Sequence, residues 1–111
     1  VLSEEEGRAV LKRCFEAQGL TIAVDHRLND DGVPITLDGY DAARRVGYEF
    51  ITTEAGDRVE VTAEVVAELE RRMAAGQLAV LLIDERDVAG PADLEAGARA
   101  FLDQARRRGL L

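Results

Sequence analysis

The hydrophobic positions of this chain change period along its length, and each change marks a new element. Val10, Leu11, Cys14 and Phe15 recur at helical spacing. Ser3 stands before them with Glu6 three residues on, the pattern of a capping box, and Gly19 sits where a helix C-terminus turns away. A helix is therefore predicted from Ser3 to about Gln18. From Leu20 to Leu28 the period becomes two, with Ile22, Val24, His26 and Leu28 alternating against Thr21, Ala23, Asp25 and Arg27. Asp31-Gly32 is a hairpin-turn dipeptide, and beyond it Val33, Ile35 and Leu37 alternate as far as Asp38. Residues 39–45 read as a turn, which places Tyr40 in a loop. A third strand runs through Val46 to Thr52.

Glu54-Ala55-Gly56-Asp57 is a further turn, followed by a short strand at Arg58 to Val61. Thr62 caps a second helix that ends at Gly76 and turns Val65, Val66, Leu69 and Met73 inward. Leu78 to Ile83 is a continuous apolar run, as expected of a strand covered on both faces. Gly90-Pro91 opens a last helix with Pro91 at its first position and Leu94, Ala98, Phe101 and Ala105 inward. The order is αβββαβα. This predicts an α+β (α/β) fold: a three-stranded antiparallel meander, a fourth strand after a crossover helix, and helices packed on the sheet. No repeat or linker divides the chain, so residues 1–111 read as a single domain, long enough to bury a core without disulfides.

Composition narrows the classes of function. There are 22 Asp and Glu against 14 Lys and Arg, a net charge of −8. Such a balance opposes approach to phosphate backbones and disfavours nucleic acid as a partner. The run Arg106-Arg107-Arg108 is the one basic patch in the sequence, and it suits a helix C-terminus. No apolar stretch nears the roughly 20 residues of a membrane span, and the acidic opening segment lacks the pattern of a signal peptide. A single cysteine, Cys14, fits a reducing, cytoplasmic setting and reads as a small buried hydrophobe. His26, the one histidine, falls on the apolar side of its strand and reads as a core or rim residue. Asp84-Glu85-Arg86-Asp87 follows the buried strand, where open α/β sheets hold ligands; it reads as a solvated loop. No phosphate-binding loop or nucleophile elbow is present.

Strand register then singles out one constellation. A two-residue turn at Asp31-Gly32 pairs Asp30 with Val33, Leu28 with Ile35, and His26 with Leu37. It sets Asp25 across from Asp38, and Arg27 across from Thr36. Keeping one apolar face continuous pairs Leu37 with Tyr48 and Ile35 with Phe50, so Glu49 lies beside Thr36 and diagonal to Asp38. Asp25, Asp38 and Glu49 are thus expected on one sheet face, with Arg27 as counter-ion or with a hard divalent cation among them.

The element order, with Asp38 ending the second strand and Glu49 inside the third, resembles the restriction-endonuclease-like (PD-(D/E)xK) superfamily. The resemblance implies that Asp38 and Glu49 hold Mg²⁺ for phosphodiester hydrolysis, with Asp25 as a further ligand. Two features depart from that pattern: Ile51 stands where the motif has lysine, and Leu37 where it has proline.

The expected function is a small acidic, non-catalytic protein-interaction or regulatory domain, with no cofactor and a basic protein as partner. Asp25, Arg27 and Tyr40 are its candidate binding residues. A Mg²⁺-dependent nuclease with Asp38 and Glu49 as catalytic residues is the alternative. A homo-oligomer packed through an edge strand or the Tyr40 loop is a third reading.

Overall fold

The computed structural model describes residues 2–29 and 32–111. Helix α1 (Glu4–Ala17) starts at the expected box: Ser3 Oγ accepts from the Glu6 N–H and Glu6 Oε1 accepts from the Ser3 N–H, both at 3.1 Å. Helix α3 (Ala63–Ala74) starts at Thr62, whose hydroxyl accepts from the Val65 N–H, and α4 (Pro91–Arg107) starts at its proline. Gly19 and Gly76, with φ of +88° and +74°, turn the chain after α1 and α3 in the left-handed region that glycine favours.

The strands are β1 (Ala23–Arg27), β2 (Thr36–Asp41), β3 (Val46–Ile51) and β4 (Ala79–Asp84), in spatial order β1-β2-β3-β4. The first three form the antiparallel meander, and β4 joins β3 in parallel after the α3 crossover. The expected α+β order is the observed one. The pairing of β1 with β2 also has the expected register, His26 with Leu37 and Arg27 with Thr36. Asp30 and Asp31 lie outside the described residues, and with them the two-residue turn and the Asp30–Val33 pair.

Four local expectations are corrected. The segment after β3 forms a short helix, α2 (Asp57–Glu60), where a strand was expected from 58 to 61. Both flanks of β3 are taken, by β2 and β4, so a strand there has no free edge beside it. Residues 39–41 belong to β2 and are not part of a turn. The turn is residues 42–45, closed by the Arg45 N–H to Asp41 O at 2.7 Å, with the Asp41 carboxylate accepting from the Arg44 and Thr21 N–H groups.

Tyr40 is consequently 3% exposed and stacks on His26, with ring centroids 4.8 Å apart. Lengthening β2 also slides its register on β3 by two residues: Tyr48 lies opposite Gly39, not Leu37. The glycine makes room for the ring, since a Cβ at Gly39 would sit 2.3 Å from Tyr48 Cζ.

The fourth correction concerns the faces. The apolar residues of β2 and β3 do not share one layer. Ile35 and Leu37 pack with Leu28, Val65, Leu69 and Val80 under α3. Val46, Tyr48 and Phe50 pack with Leu11, Phe15, Leu94 and Leu102 beneath α1 and α4. Leu37 and Tyr40, three apart, belong to the same cluster, so strict alternation fails between them. The sheet is covered on both sides at β2 and β3 while β1 stays largely exposed, so of the expected solvated carboxylate face only Asp25 meets solvent.

Candidate functional site

Strict alternation fails at Asp38. The main-chain pairing of β2 with β3 runs from Asp41–Val46 to Gly39–Tyr48. Beyond it, side chains take over as acceptors. The Asp38 N–H donates to Glu49 Oε1 at 2.8 Å, and the Phe50 N–H donates to Asp38 Oδ2 at 2.7 Å. Each carboxyl thus closes a gap that a backbone carbonyl fills in a regular ladder. Both are interior: Asp38 is 6% and Glu49 1% exposed.

The two acidic residues of the expected trio that come together are therefore Asp38 and Glu49. Asp25 is joined to them through a cation. Arg8 of α1 donates from Nη2 to Asp25 Oδ1 at 2.8 Å, and its Nε lies 3.5 Å from Asp38 Oδ1. Asp25 itself is exposed, and its φ of +51° breaks the regular pairing of β1 opposite Asp38. The counter-ion is thus Arg8, not Arg27 as expected. Arg27 is exposed at the end of β1 and enters no ion pair among the described residues. Its side of the strand end leads into solvent, whereas Arg8 reaches the pair from the helix lying against the sheet.

Burial raises both carboxyls above their ordinary range. For Asp38 desolvation dominates, opposed by the hydrogen bond from Phe50 and the charge of Arg8 and reinforced by Glu4 and Asp57. For Glu49 desolvation is again the largest cause, and Asp38 and Asp57 push further in the same direction. The pair therefore keeps a proton where exposed carboxylates have lost theirs, and Asp57 near Glu49 favours its retention. Asp57 Oδ2 in turn accepts from the Thr52 N–H, while the Thr52 hydroxyl donates to Glu4 Oε2 at 2.7 Å. A continuous set of carboxyl contacts thus ties β2, β3, α2 and the start of α1.

As placed here, the pair does not present an open set of ionised oxygens to one point. A divalent cation takes several ionised oxygens open to one point. Here one oxygen of each carboxyl is committed to a backbone N–H, and the group favours retaining protons. Among the described residues no three His, Cys, Asp or Glu side chains are grouped as metal ligands. Tyr40, the remaining candidate, is packed under α3 with His26 and is not presented to solvent. The Asp84–Asp87 segment is likewise tied internally: Arg58 grips both oxygens of Asp84 at 2.7 and 3.1 Å, and Arg86 adds to it. The Arg58 hydrogen bonds hold the Asp84 carboxyl well below the usual carboxylate range.

Sequence reasoning missed Arg8, Asp57 and Glu4. A signal for Arg8 was available, because it stands three and seven residues before Leu11 and Phe15. A charge in the inward stripe of a helix needs a buried partner. Asp57 had no such signal, since its role depends on how the loop after β3 folds back. No protein-family model, curated protein or solved structure matches this chain.

Proposed function

We propose that this is a non-catalytic protein-interaction domain that docks a basic partner on its acidic end. The supporting observation is the use of the best-placed carboxyl pair inside the sheet, where no substrate reaches it. The acidic residues left on the surface gather where α1, α3 and α4 begin and where β3 and β4 finish. Glu5, Glu64 and Asp93 lie in or beside first helical turns, with Glu54, Glu60 and Asp87 in the adjoining segments, all but Asp87 and Asp93 preceding β4 in the chain.

Acidic groups there complement the positive ends of three helix dipoles, so a high local negative charge is tolerated. Arg58 and Arg86 are spent on Asp84 and Glu85, leaving the others to outside cations. Such a surface accelerates encounter with basic partners and discriminates against acidic ones.

Calorimetric titration with a short oligo-arginine peptide tests this reading, with oligo-glutamate as control. Binding that weakens with salt and with Glu5→Gln/Glu64→Gln/Asp87→Asn is expected. Absence of binding at low salt would overturn it. A clear rise in melting temperature with Mg²⁺ or Mn²⁺ would instead favour the metal-dependent alternative, because a ligand held only by the folded state stabilises it.

A further inference from the structure

The opposite end of the molecule carries the opposite charge. The last turns of α3 and α4 bear Arg71, Arg72, Arg106 and Arg107. They are drawn together by contacts between elements distant in sequence. Arg106 donates to Gln18 Oε1 at 2.9 Å, just past α1, and Arg108 donates to the Met73 carbonyl at 3.0 Å. The β2–β3 turn adds Arg44 and Arg45 to the same end.

Two concavities meet there, of about 200 and 130 Å³, and Arg45, Gln77 and Leu78 border both. Arg44 lines the larger and Arg72 the smaller. Two carboxylates at this end are already occupied: Asp41 caps the turn and Glu68 holds Arg71 and Arg72. Arg45 and Arg107 engage no carboxylate among the described residues. Arg45 also occupies the left-handed region, φ +60°, where glycine is the unstrained choice. Such strain is more often kept where a side chain has work to do.

We propose that this arginine-lined groove receives the acidic end of a second copy of the chain, so that molecules associate head to tail. The inference rests on the reading of the acidic end as a docking surface, and it names the partner. Charge complementarity selects that occupant, because both halves of the contact are present on one molecule. The 17 residues of α4 separate the ends by roughly 25 Å, about three Debye lengths at physiological ionic strength. The ends therefore do not neutralise each other within a molecule. Like ends repel and unlike ends attract, so the contact is heterologous rather than two-fold symmetric. The net charge of −8 opposes approach at long range, which keeps the association short-ranged and reversible.

Sedimentation equilibrium tests this with two neutralised variants, Arg44→Gln/Arg45→Gln/Arg107→Gln and Glu5→Gln/Glu64→Gln/Asp87→Asn. The wild type should self-associate with rising concentration at about 0.1 M salt, at least about tenfold more weakly at about 0.5 M. Each variant alone should be monomeric, and their mixture should stop at a one-to-one dimer, since each keeps one intact end. A wild type that stays monomeric at about 1 mM, or association that survives in either variant, overturns the proposal. Oligo-arginine binding by a monomeric wild type would leave the acidic docking surface standing and remove only the self-partner. Circular dichroism melts of both variants are the control for folding, with cooperative transitions expected in each.

Discussion

Asp38 and Glu49 lie side by side at the point where β2 and β3 stop pairing through their backbones, the N–H of one bonded to the carboxyl of the other at 2.8 Å. The strand junction therefore depends on two ionisable groups, and its strength follows their protonation.

Both groups have folded-state pKa values above their unfolded ones, Asp38 pushed up to about 7 by burial with Glu4 and Asp57 adding, and Glu49 to about 10 by burial and the charges of Asp38 and Asp57. The stabilising effect of their protonation is complete below about pH 4 and is lost as pH rises through 7 and then 10. Each pH unit over which the folded chain holds one extra proton costs about 1.4 kcal/mol. The melting temperature is expected to fall steadily from pH 5 to pH 10. Glu49→Gln, neutral throughout, should flatten the decline above pH 7. Equal wild-type stability at pH 5 and pH 9, by urea titration, would contradict a protonated pair.

Arg8 is the cation that faces Asp38 and Asp25 together. Arg8→Met keeps the packing stem and removes the charge. It should cost about 1–2 kcal/mol and move the Asp38 titration to higher pH, read by carboxyl carbon NMR. Asp25→Asn, at an exposed position, should cost about 0.5 kcal/mol or less. An unmoved Asp38 titration in Arg8→Met would show that the counter-ion is another group.

The glycines opposite the two tyrosines make the sheet junction fit. A Cβ at Gly47 would lie 2.4 Å from Gly39 O, a backbone atom that cannot swing aside. Gly47→Ala should cost about 2–3 kcal/mol, by analogy with other overpacked interiors. The three atoms nearest a Cβ at Gly39 all belong to the Tyr48 side chain, so Tyr48→Val should recover part of the loss in Gly39→Ala. Gly90→Ala, with an extended backbone and open space around the added carbon, should be nearly neutral. Thermal melts ranking Gly90→Ala as the most damaging of the three would refute this packing.

The helix caps make a separate prediction. Ser3→Ala removes the hydroxyl half of a reciprocal pair, leaving the residue 3 N–H free to donate to Glu6, and Thr62→Ala removes a single bond. Each should lower stability by about 1 kcal/mol, with Thr62→Asn retaining most of it. Urea midpoints measure both.

Element order, caps and helix ends were legible in the sequence because they depend on residues within a turn or two of one another. Ser3 with Glu6, Thr62 before Val65 and Pro91 at a helix start act locally. So did the register of β1 on β2, His26 with Leu37, read from a two-residue turn at Asp31-Gly32. The register of β2 on β3 was beyond that reading. A pattern of period two is unchanged by a slip of two residues, so alternation could not tell Leu37 from Gly39 as the partner of Tyr48. Tertiary packing made that choice, through a four-residue turn capped by Asp41 and a glycine that leaves space for the ring. It also decided which helix covers each strand, and hence that Asp38 is buried beside Arg8 and Glu49 beside Asp38 instead of facing water. A single strand's pattern records how often side chains change sides, not what waits on either side.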